Sequence, residues 1–111
     1  MLVKKYINNK NYAVEIRKPL YKQGFNTESG IIEFALIKTY RGSNVYDIIE
    51  VSTGMILVPN VGRLKRIAFI NICMLFCTLG SEKIKSRISE HEKIEDLPLW
   101  KEEDGDNKNE E

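Results

Sequence analysis

The stretch that most constrains the fold is Ile67 to Leu79, where only Asn71 and Thr78 are polar and no residue is charged. Its length and its Leu, Met, Ala and Cys content predict a helix instead of a strand. A helix apolar nearly all round is expected to be buried on more than one side, each buried side chain contributing about 1.5 to 3 kcal/mol. The run is shorter than the roughly 17 to 25 residues of a spanning helix, so no membrane segment is expected. Gly62, Arg63, Leu64, Lys65 and Arg66 precede it. They place three cations where the helix dipole disfavours them.

Upstream, the pattern switches to period two. Leu2 to Ile7 and Tyr12 to Ile16 read as a hairpin around Asn8-Asn9-Lys10-Asn11. Lys18 to Gly30 has no clear period and contains Pro19, Gly24 and Gly30, so it reads as a long loop. Ile31 to Tyr40 resumes as a strand, and Arg41-Gly42-Ser43-Asn44 turns the chain into Val45 to Val51. Ser52-Thr53-Gly54 then closes a hairpin with Met55 to Val58, Gly54 taking the left-handed position. Pro59 ends that ladder and Asn60 is the expected helix cap. Gly80 ends the apolar helix, Ser81 caps a second one to about Lys93, and Ile84 and Ile88 form its thin apolar seam.

The expectation is one α+β domain over residues 1–100, a five-stranded antiparallel meander or small barrel of the SH3 or OB type. A buried helix closes it, a surface helix follows, and residues 101–111 form an acidic tail with too little to bury to be ordered. The chain has 111 residues, which suits a single core without staples.

The formal charge of +1 hides a split. Residues 1–80 carry eleven Lys and Arg against five carboxylates, and residues 81–111 carry six against eleven. A basic body with an acidic end fits a polyanion partner that competes with the protein's own tail. Tyrosines interleave with the bases: Lys4, Lys5 and Tyr6; Arg17, Lys18, Tyr21 and Lys22; Lys38, Tyr40 and Arg41. Rings on which bases stack, beside cations for the backbone, are what a single-strand binder needs. Arg63, Lys65 and Arg66 add a phosphate-sized cluster at the helix start.

Other chemistry is poorly served. His91 stands among charges with no neighbouring nucleophile, and Cys73 and Cys77 lack the further ligands of a metal site. Both cysteines read as reduced core residues of a cytoplasmic protein, and the N-terminal stretch lacks the apolar core of a secretory signal. Glu33, Asp47 and Glu50 fall on adjacent strands, where a carboxylate pair is conceivable but solvent-facing positions are equally compatible. The expectation is therefore a non-enzymatic nucleic-acid-binding module without cofactors or a membrane association, its acidic tail autoinhibitory with Trp100 as anchor. The alternative is a small regulator of the kind phages and plasmids carry, docking on a host or partner protein through Ile84, Ile88, Leu97, Leu99 and Trp100. Homo-oligomerisation is compatible with either.

Overall fold

The computed structural model describes residues 1–28, 30–40 and 44–100. Its elements in order are β1 (Leu2–Ile7), β2 (Lys10–Glu15), β3 (Tyr21–Thr27), β4 (Gly30–Ile37), β5 (Asp47–Glu50), β6 (Met55–Val58), α1 (Lys65–Leu79) and α2 (Ser81–Ser89), followed by a 3-10 turn at Ile94–Asp96. The class is α+β, with two antiparallel sheets of two and four strands, the larger in the order β3-β4-β5-β6. The arrangement differs from a single five-stranded sheet in two ways. Residues 21–27 form a strand where a loop was expected, and the β1–β2 hairpin is a separate sheet.

Local chemistry explains most of the turns. Asn8 and Asn9 both have positive φ, 52° and 64°, as the two-residue turn between β1 and β2 demands. Gly54 has φ 70° and its N–H donates to the Glu50 carbonyl. A Cβ there would sit 2.9 Å from the Lys4 backbone nitrogen and 2.7 Å from the Ile94 Cδ1. That position needs glycine twice over, for its dihedral and for the approach of β1, whose Lys4 N–H donates to the Gly54 carbonyl at 2.9 Å.

β4 lies in the interior of the sheet, and Phe34, Ala35, Leu36 and Ile37 are all buried. Its two faces feed two cores. Ile32, Phe34 and Leu36 join Ile48, Ala68, Ile72 and Ile84 on the helix side. Ala35, Ile37 and Ile49 join Val3 and Ile16 on the hairpin side. The result is three layers: helices, four-stranded sheet, hairpin.

This layering corrects the expectation for α1. The hairpin covers the opposite face of the sheet, so α1 has core on one side alone. Ala68 and Ile72 are buried, Leu75, Phe76 and Leu79 are partly so, and Phe69, Ile70 and Met74 remain 43%, 48% and 60% exposed. Cys77, expected in the core, is exposed as well, and Cys73 is half-buried. Asn60 does not cap the helix. It turns the chain with φ 55° and donates its N–H to Asp47 Oδ1 at 2.7 Å, and α1 starts after Leu64 with no side-chain cap. Gly80 ends α1 with φ 83°, donating its N–H to the Phe76 carbonyl, and Ser81 is the first residue of α2, not its cap.

After α2 the chain straps the hairpin. The Ile94 N–H donates to the Ser52 carbonyl, Ala13 N–H to the Pro98 carbonyl, and Trp100 N–H to the Ala13 carbonyl. Leu99 thereby bridges Ala13 in parallel fashion. Among the described residues no single helix is long and apolar enough to cross a membrane. The acidic tail, 101–111, lies outside the described residues.

Candidate functional site

Where the hairpin meets this strap, a cleft of about 290 Å³ is lined by Lys5, Tyr6, Ile7, Val14, Ile16, Tyr40 and Trp100. Each wall has an identifiable support. Trp100 is held by its backbone bond to Ala13 and by an edge contact with Tyr12, ring centroids 5.1 Å apart. Tyr40 follows the buried Thr39, whose hydroxyl donates to Asp47 Oδ2 at 2.5 Å. Asp47 is therefore a structural carboxylate that pins residues 38–40 to the chain ahead of α1 through Asn60.

Lys5 carries the electrostatics of the cleft. Its Nζ lies 3.0 Å from the Tyr40 ring centroid. Burial lowers its amine to a pKa of about 8, against the opposing pull of the Asp47 carboxylate. Tyr6 and Tyr40 are 70% and 60% exposed, unusual for rings with a core to enter. The site thus presents one cation lying on the Tyr40 ring, with Tyr6, an indole and three aliphatic side chains completing the lining.

A smaller cleft of about 180 Å³ gathers Arg17, Lys18, Pro19, Leu20, Lys38 and Tyr46, with Lys38 Nζ 5.6 Å from the Tyr46 ring centroid. The two clefts share their chain segments: Ile16 lines one and Arg17 the other, as do Tyr40 and Lys38. The Tyr46 carbonyl accepts the Val61 N–H at 2.8 Å, and from Val61 the chain enters the α1 start. Arg63, Lys65 and Arg66 are exposed there, with no acid in the first turn.

The remaining sequence candidates lie elsewhere. Tyr21 packs against the helix-side core, its hydroxyl donating to Gln23 Oε1. Lys22 Nζ is 3.8 Å from Glu33. Lys4 Nζ lies 3.0 Å from His91 Nδ1. Arg41 lies outside the described residues. Of the set considered for protein docking, Ile84 and Leu97 are buried and Ile88 packs on the core, which leaves Leu99 exposed and Trp100 half-buried. The amphipathic period of α2 marked a core face, not a free one.

A larger concavity, about 570 Å³, runs between the β3–β4 and β5–β6 turns and the end of α2, and includes Glu50 and His91. Its carboxylate is already committed. Glu50 accepts hydrogen bonds from the backbone N–H and hydroxyl of both Ser52 and Thr53, at 2.6 to 3.0 Å. It holds the tight turn that Gly54 completes. Among the described residues no group of three or more His, Cys, Asp and Glu is placed to hold a metal. Sequence reasoning missed Trp100 as a wall and Tyr46 as part of the basic cleft. Nothing local signals either, because both are brought in by long-range pairing.

No family model matches this chain, and no curated protein and no solved structure matches it either.

Proposed function

We propose that this protein is a non-enzymatic module that binds single-stranded nucleic acid in the Lys5–Tyr6–Tyr40–Trp100 cleft. The observation that carries the reading is the exposed Tyr40 ring against the partly desolvated Lys5, with the exposed Tyr6 next to Lys5 in the strand. Unpaired bases have faces to stack on such rings, whereas duplex bases do not, and each stacked base is worth about 1 to 3 kcal/mol. Arg17, Lys18 and Lys38 continue the path and meet backbone phosphates, and the α1-start cations extend it. In this reading the hairpin and the four-stranded sheet act as two walls of a half-open small barrel, supported by the Lys4–Gly54 backbone bond that joins them. The six carboxylates of residues 101–111 follow Trp100 directly in sequence and compete with the ligand for the same cations.

Anisotropy of a labelled oligonucleotide tests this. Tyr6→Ala with Tyr40→Ala should weaken binding by roughly 30-fold or more while leaving the fold intact, since both rings are exposed. Unchanged affinity in the double variant overturns the site. A protein-docking regulator would instead depend on Leu99, 53% exposed beside Trp100. Leu99→Ala leaves oligonucleotide binding intact on our reading.

A further inference from the structure

We infer that β3 pairs antiparallel with β3 of a second copy of this chain, about a two-fold axis at Gly24, which joins the four-stranded sheets of the two copies into one. β3 is an edge strand, paired with β4 on one side. The direction of its outer backbone groups follows from β4. The Glu33 carbonyl accepts the Val51 N–H at 2.9 Å, so the backbone of Glu33 points toward the β5 side. Gly24 is the register partner of Glu33. In such a pair the backbone groups of both residues turn away from each other, so the Gly24 N–H and carbonyl point out of the sheet edge. By the same alternation those of Lys22 and Asn26 point outward as well. The Gly24 carbonyl accepts the Gln23 side-chain amide at 3.0 Å, a contact that a facing strand would replace.

Proteins blunt exposed sheet edges with short strands, bulges, proline or a covering segment. The β6 edge is blunted in this way: four residues, a register shift at Ile48/Ile49 and Pro59 directly after it. β3 has seven residues, no proline, and seven consecutive register pairs with β4. Self-complementarity selects a second copy as the occupant. With the axis at Gly24, Lys22 stands opposite Asn26 of the other copy and Gly24 opposite Gly24, so no like charges meet. On the same face Lys22 Nζ lies 3.8 Å from Glu33, and both side chains are half-exposed. Strand spacings put the Cα of Lys22 about 12 Å from that of Glu33 in the other copy, across two glycines that leave the way open for the long lysine. The two lysines and two glutamates then alternate in sign around the axis. On the helix face Phe25 stands opposite Gln23 of the other copy and diagonal to its Phe25, about 8 Å away between Cα atoms and within reach of aromatic rings. Phe69, 43% exposed, stacks on Phe25 at 5.6 Å and adds its ring to this join. Lys22, Gly24 and Asn26 of the two copies exchange about six backbone hydrogen bonds. With the β6 edge blunted, the pairing closes as a dimer and does not propagate. A seven-residue strand pair is at the small end of specific interfaces, so dissociation should fall in the micromolar range.

Sedimentation of the full chain from about 1 to 100 μM should show a monomer–dimer equilibrium. Asn26→Pro removes an outward N–H without touching the ladder to β4, and should be monomeric throughout with wild-type circular dichroism. Two charge variants test the register even if that one fails to fold. Lys22→Glu sets four acids around the axis and should weaken dimerisation roughly 10-fold, and adding Glu33→Lys restores the alternation and should bring affinity back to within about 3-fold of wild type. A wild type that stays monomeric at the highest concentration overturns the inference and leaves the edge to an extended segment of another protein. A folded Asn26→Pro variant that still dimerises, or a dimer indifferent to Lys22→Glu, overturns it as well.

Discussion

Lys5 shows how a single side chain connects burial to binding. Its folded pKa, about 8, lies below the unfolded value of 10.5, so between those pH values the unfolded chain holds more protons and the stability contributed by this group rises with pH. Binding should run the other way. A polyanion needs the charged amine, so oligonucleotide affinity should fall as pH rises from 7 to 9, and Lys5→Arg should remove that fall because a guanidinium stays charged. Titrating anisotropy against pH for the two proteins checks both signs. Asp47 is the counterpart residue. Asp47→Ala strands the Thr39 hydroxyl and the Asn60 N–H, and a loss of about 2 to 4 kcal/mol in urea unfolding is expected together with weaker binding through Tyr40.

At the scale of elements, the surprises trace to what a period can and cannot report. β3 does alternate, with Tyr21, Gln23, Phe25 and Thr27 half-buried and Lys22, Gly24 and Asn26 exposed. Half of its inward positions are polar and it sits at the sheet edge, so its register comes from pairing with β4 and not from hydrophobic contrast. The apolar helix was legible, its partners were not. Ile72→Ala should cost about 2 to 5 kcal/mol by chemical denaturation, whereas Met74→Ala at low protein concentration should cost much less, since one side chain lies in the core and the other in solvent. Gly54→Ala should destabilise by more than 1 kcal/mol, because its φ and the Lys4 backbone both exclude a Cβ.

For the whole molecule the testable property is the contest between body and tail. Removing residues 101–111 should tighten oligonucleotide binding at low salt, and the difference should vanish at high salt, where phosphate contacts lose their counterion-release advantage. A truncation that leaves affinity unchanged at low salt argues against competition by the tail.

The order of most elements, the turns at Asn8-Asn9 and Gly54, the end of β6 before Pro59 and the charge split were set by local chemistry, which acts over a few residues and so is written in the sequence. The side of the sheet taken by the hairpin was decided only in three dimensions. That choice brought Trp100 to Lys5 and Tyr40, drew Ile84 into the core and left one side of α1 bare. Such choices depend on contacts between residues tens of positions apart, for which a hydrophobic side chain carries no address.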